Sequence, residues 1–298
     1  MKKLALLVTV CSLVVSGSIL SSASAEDVSS TTKEDILNEI AKIKVEDAAY
    51  YLDELKQQSY TQKARTLSQF GFNTSEVSNE NILKEVAQEM VDQSYIYYMD
   101  ESGVVYDKNA NVLAQLDVSS APDADPATSV STKGKVTTLA YNNPRINGDN
   151  SGPFIRQTSV KGYIGSRTQF TLPSKTSGGI DIPTTGATGY IYNGLDYNIE
   201  TGSNSFSMEG GVQASQANNN FSAYIRVNGG SLVFTDDGNN PGNYPPRYKA
   251  GTAYTSNLRY EVSTGKVKYY ASGTNVNGVA QNLSFTYSKS FTSTELAN

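Results

Sequence analysis

The chain has 298 residues, a formal net charge of −5, 20 tyrosines, one cysteine, and neither histidine nor tryptophan. Without histidine there is no Ser-His-Asp triad and no imidazole metal ligand, and a single cysteine makes no internal disulfide and no structural zinc site. Carboxylate, Ser/Lys and Tyr/Arg chemistry and oxygen-ligated metals stay open.

Lys2 and Lys3 precede an apolar run over residues 4–15, and Ala23-Ser24-Ala25 stands before Glu26. That order predicts a secretory signal peptide over residues 1–25. The run is too short for a spanning helix. A secreted, extracellular protein with no stable membrane anchor is expected. Cys11 lies inside the removed segment, so the mature chain has no thiol. Charge then divides the chain. Residues 26–117 hold 18 acidic and 8 basic side chains, and residues 118–298 hold 11 and 14. Neither part carries the clustered Lys/Arg footprint that nucleic acid requires.

The first helix is expected to open at Thr31 with a capping-box spacing to Glu34, and Ile36, Leu37, Ile40 and Ile43 recur at helical spacing. Ala48, Tyr51, Leu52 and Leu55 form a second periodic set. Residues 62–70 form a third, stopped by Gly71. Residues 79–99 carry the longest stripe, from Ile82 through Met90 to Tyr95 and Tyr98, and predict a helix of almost six turns. Residues 104–107 and 112–114 flank Lys108-Asn109-Ala110-Asn111 as a short hairpin, which would pack on the helices. Residues 118–134 are rich in Pro, Ala, Ser, Thr and Asp and read as a linker.

From residue 135 on, every run has strand character. Residues 189–234 are the clearest part: apolar and polar residues alternate in four short runs cut by Gly, Asn and Ser. Asn228-Gly229-Gly230 is a turn signal, because these residues accept positive φ cheaply. A later hairpin, with Val262 placed opposite Val267, pairs Tyr260 with Tyr269 and Glu261 with Lys268. The expected fold class is therefore α+β and multidomain. A small acidic helical domain with a terminal β-hairpin (26–117) precedes a linker (118–134) and an all-β jelly-roll or sandwich domain (135–298).

Candidate chemistry sits in the β part. Glu209 lies mid-strand before Gly210-Gly211, where a ligand can reach the sheet, or it pairs with an arginine such as Arg226. Asp236, Asp237 and Asn239, in a D-D-G-N-N run, can supply oxygens to Ca²⁺, though a plain turn explains the same letters. Tyr244, Arg247 and Tyr248 lie in a loop stiffened by Pro245 and Pro246, with Tyr254 close behind. Exposed rings there would stack on sugars while Arg and Asn bond the hydroxyls; ordinary strand usage of tyrosine is the other reading.

The Ser205-to-Ala214 run with its central Glu209, the Phe221-to-Ile225 run and the Gly265-to-Tyr270 hairpin arm resemble concanavalin-A-like jelly-roll domains. The layout of signal peptide, acidic helices and β part resembles the secreted YrpD-type proteins of bacilli, a Gram-positive setting. The resemblance implies a sandwich fold and supplies no catalytic residues. No E-x-D-x-x-E strand motif occurs, and a histidine-dependent lyase site is excluded. The expected function is a secreted, non-catalytic protein that binds carbohydrate or cell envelope. The alternatives are a carbohydrate-active enzyme using Glu209, and an interaction protein whose acidic helices bind a partner.

Overall fold

The computed structural model describes residues 31–119, 163–179, 188–197, 206–215, 219–228, 230–234 and 243–291, with four two-residue strands between 140 and 158. The expected signal-peptide segment, most of the expected linker and the Asp236-Asp237-Asn239 run lie outside them.

Helix α1 (Lys33–Gln57) merges the first two expected helices. No Gly or Pro interrupts it, and Ile36, Ile40, Ile43, Asp47, Tyr50, Tyr51 and Leu55 form one buried stripe. Helix α2 (Tyr60–Gln69) starts at a Ser59–Gln62 capping box, with Ser59 N donating to Gln62 Oε1 at 2.9 Å. Gly71, at φ +80°, turns the chain after it. Helix α3 (Glu80–Asp92) is capped by Asn79.

The expected long helix stops at Asp92, and Tyr95–Met99 is strand β1. Tyr97 and Met99 face one core while Ile96 and Tyr98 face the other. A strand buried on both faces reads as a continuous apolar run, which also satisfies a helical template. Strands β2 (Val104–Asp107) and β3 (Val112–Gln115) are the expected hairpin. Asp107 pins its turn by accepting from the backbone of Asn109 and Asn111 at 2.9 Å. The hairpin extends a sheet through β1.

Four two-residue strands follow. Ala140–Tyr141 (β4) pairs with Gln157–Thr158 (β7), and Arg145–Ile146 (β5) pairs with Pro153–Phe154 (β6). The longer strands are β8 (Gly165–Thr171), β9 (Thr188–Tyr197), β10 (Phe206–Ser215), β11 (Asn220–Val227) and β12 (Gly230–Phe234). The last are β13 (Tyr248–Lys249), β14 (Ala253–Glu261), β15 (Lys266–Thr274) and β16 (Ala280–Ser288). A seven-stranded sheet runs β3-β2-β1-β16-β15-β14-β8, antiparallel except for the parallel β1–β16 pair. A smaller antiparallel sheet runs β12-β11-β10-β9, with β13 paired to the far end of β11. Asn228, at φ +50°, makes the β11–β12 turn as its residue type predicts.

The inward residues of the two sheets form one core: Met208, Val212, Phe221, Ile225 and Phe234 meet Tyr97, Leu258, Val267, Tyr269, Leu283 and Phe285. The helices cover the other face of the large sheet. There Ile40, Ile43, Tyr50, Val86 and Val91 gather around Ile96, Tyr98 and Tyr270. The architecture is α+β: a helical layer, a large sheet and a small sheet. Lys33–Asn298 is one compact unit. Both cores draw residues from each side of positions 118–134, because β1–β3 sit in the same sheet as β14–β16.

The β14–β15 hairpin corrects the expected register. Glu261 pairs with Lys266, Arg259 with Lys268 and Leu258 with Tyr269, around a loop of residues 262–265 with Gly265 at φ +65°. The slip is two residues, so the faces are preserved. The charged face is covered by α1. Lys268, 1% exposed, lies 2.7 Å from Glu46 and 3.2 Å from Asp47, and Lys266 lies 2.6 Å from Glu39 and 3.1 Å from Glu46. Asp47 also accepts from Tyr270 at 2.9 Å and Ser284 at 2.6 Å. Tyr50 stacks on Tyr270 at 3.8 Å, and the Arg259 guanidinium lies 4.6 Å from the Tyr50 ring centre. Arg167 of β8 reaches Glu54 at 2.7 Å. Burial pushes the Asp47 carboxyl up, against the pull of Lys268 and the two hydroxyls. Burial acts on Glu39 and Glu46 the same way, but their lysines outweigh it and hold both below the ordinary carboxylate value.

Candidate functional site

Strands alternate their side chains, so each residue of the small sheet that faces the core is followed by one that faces away. On β10, Phe206, Met208, Val212 and Ala214 go inward. That leaves Ser207, Glu209, Gly211 and Gln213 on the outer face. The ladders then fix what stands beside them. Glu209 has Arg226 of β11 on one side and Gly194 of β9 on the other. Gly211 has Tyr224 and Tyr192, and Gln213 has Ser222 and Tyr190. Asp196 lies on the same face opposite Ser207.

Tyr190 and Tyr192 are 48% and 36% exposed, a large ring area for a folded surface. Tyr224 is buried beside them. Its ring lies 5.0 Å from that of Tyr190 at 58°, and its hydroxyl donates to Glu209 Oε2 at 3.4 Å. Strands β9 and β11 stand about 9.5 Å apart, two strand spacings, so the two rings meet only by reaching across β10. Gly211 permits this. A Cβ there would come within 2.1 Å of the Ile191 carbonyl oxygen, so only glycine fits the close β9–β10 approach. Burial, then the charge of Glu209, pushes the Tyr224 phenol up and keeps it a neutral donor at physiological pH.

The residues singled out in the sequence separate into two groups. Glu209 and Arg226 come together as a cross-strand pair on the outer face. Arg247 clamps the far end of that face. It donates to Ser222 Oγ at 2.5 Å and to the Asn220 carbonyl at 3.2 Å, and it also bonds the Asn220 side chain. Burial pushes its pKa down. Tyr248 and Tyr254 are not surface rings. Both lie in the core, edge to face at 5.0 Å, with Tyr254 and Tyr269 sharing a hydroxyl–hydroxyl bond of 2.6 Å. Two placements bring them inward: β13 docks on β11 so that Tyr248 fills the space between the sheets, and Tyr254 lies on the inward face of β14 with Leu258 and Tyr260. Tyr244 is half-buried, with its ring 6.3 Å from Phe234. Tyr190, Tyr192, Tyr224 and Asp196 were legible only as alternation. Their parity against Glu209 was the signal, and it needed the register to be read.

Among the described residues no group of three or more His, Cys, Asp or Glu side chains could hold a metal ion. Among the same residues no helix is long and apolar enough to cross a membrane. No protein-family model matches the chain, and no curated protein has a similar sequence.

Proposed function

We propose that this is a secreted, non-catalytic protein that binds carbohydrate or cell-envelope glycan on the outer face of its small sheet. The observation that carries the reading is the exposed Tyr190–Tyr192 pair beside Glu209, Tyr224 and Arg226. Rings give a sugar an apolar platform, and the charged pair and the phenol give its hydroxyls partners. The signal-peptide pattern supports secretion. The likeness to concanavalin-A-like jelly rolls and to YrpD-type proteins belongs to the same proposal; the two facing sheets, largely antiparallel, support its sandwich part. The acidic stripe of α1 has its partner in the same chain, on β15 and β8, which favours the outer face over the helices as the ligand surface.

The test is a glycan array with the whole mature chain, since β1–β3 complete the large sheet. Wild type binds polysaccharide. Tyr192→Ala weakens binding by about 1–2 kcal/mol, the scale of a placed aromatic contact. Release of product from any bound polysaccharide, lost in Glu209→Gln, would replace this reading with a glycosidase using Glu209.

A further inference from the structure

Gly194 is a glycine without a conformational reason. It sits inside β9, its φ is not positive, and the β9–β10 ladder runs through it without a register shift. A glycine in a strand interior weakens the strand, and it commonly marks a bulge or a place where something approaches the backbone closely. Here there is no bulge. Among the described residues the space above it is open: a Cβ built on Gly194 meets none of their atoms nearer than the Met208 carbonyl oxygen at 4.0 Å. Tyr192 and Asp196, both exposed, flank Gly194 on the same strand face, and Glu209 stands directly across. The result is a notch with a bare floor, one aromatic wall and two carboxylate walls.

We infer that this notch holds one hexose unit of a neutral glycan, with its ring face on Tyr192 and adjacent hydroxyls donated to Asp196 and Glu209. The inference rests on the binding role proposed above. Carboxylates only accept hydrogen bonds, so the occupant must supply donors. Two carboxylates against the single guanidinium of Arg226 disfavour an anionic sugar. Arg226 beside Glu209 also lowers the pull on a cationic one. A ring with one C–H face and a hydroxyl edge matches an aromatic wall next to acceptors.

The experiment measures binding of the whole mature chain to soluble β-glucan and mannan oligosaccharides, polygalacturonate and chitosan oligosaccharides, at low and high salt. Wild type is expected to bind a neutral oligosaccharide with little salt dependence. Gly194→Val fills the notch and suits a strand, and its Cβ has room among the described residues, so the thermal midpoint should hold while affinity falls at least tenfold. Asp196→Asn, on an exposed side chain, should lower affinity about tenfold without touching the fold. Neutral-glycan binding that survives both variants would overturn the notch and leave the outer-face reading standing. Salt-sensitive binding to polygalacturonate or chitosan alone would overturn the neutral-hexose assignment. Binding to none of the four would overturn both the notch and the proposed function.

Discussion

Strand β15 has two faces that are equally buried and chemically opposite. Val267, Tyr269 and Ala271 pack against the small sheet, while Lys266, Lys268 and Tyr270 lie under α1. On the first face the contacts are non-directional, and volume decides what fits. On the second, each charge needs its partner at a set place: Lys268 needs Glu46 and Asp47, and Asp47 needs Lys268, Tyr270 and Ser284. Such a network adds little net stability, because desolvating the charges offsets their attraction. It does single out one position of α1 along the sheet. An apolar stripe sliding by one turn would still be buried. A lysine sliding away from its carboxylates would not be tolerated.

The sharpest way to break this comparison is to remove one partner from the charged face. Lys268→Met takes from Asp47 its lysine in a covered site, leaves Glu46 with Lys266 alone, and should cost about 3–5 kcal/mol. Tyr269→Ala on the opposite face should cost a similar 3–5 kcal/mol, through a cavity. Denaturant midpoints measure both. The two losses differ in how they are repaired. Adding Asp47→Leu to Lys268→Met should recover about 1–3 kcal/mol, because the stranded charge leaves with its partner. A second substitution beside Tyr269→Ala that merely removes another apolar group should make matters worse. If the Lys268–Asp47 double variant is no more stable than Lys268→Met, the pair is not coupled.

Acid and alkali test the charged face alone. Glu39 and Glu46 have folded values below their ordinary 4.5, so their contribution is complete above that pH and is lost as pH falls through the folded values. Lys266 is raised above its ordinary 10.5, so its contribution is complete below that pH and fades as pH rises through the folded value. Asp47, pushed up by burial, works against the two glutamates: its contribution is present at low pH and lost as pH rises through its folded value. Thermal midpoints should therefore fall below about pH 4.5, and Glu46→Gln should flatten that limb relative to wild type. An unchanged acid limb in Glu46→Gln would show that the lysine contacts do not hold α1.

Smaller effects separate the covered faces from the open one. A protease site placed within residues 120–134 should yield two chains that co-elute, since β1 pairs with β16 and α1 with β15 across the cut. Fragments that part without denaturant would contradict the shared cores. Tyr190→Ala on the outer face should shift stability by no more than about 0.5 kcal/mol, as for other exposed positions. A large loss there would make the ring a packing element rather than a platform.

Much of the secondary structure was written in the order of residues. The α1 stripe, the helix over residues 62–70 with its Gly71 stop, the residue 104–114 hairpin and the strands within 189–234 follow from spacing and turn residues that act locally. Face assignment also survived, because a two-residue slip at Glu261–Lys266 leaves strand parity intact. Local signals failed where a residue's partner is distant in sequence. Tyr95–Met99 looked helical because nothing local reveals that Leu283–Tyr287 will pair with it. Tyr248 looked like a surface ring because a proline loop is usually exposed, and the docking of β13 takes it inside, while Tyr254 is buried by its inward place on β14. Lys268 read as the cross-strand partner of Glu261 because the helix that supplies its carboxylates lies more than 200 positions earlier in the sequence. Composition and period set which elements form. Which face is covered, and by what, depends on contacts between segments far apart in the chain, and those exist only once the layers have assembled.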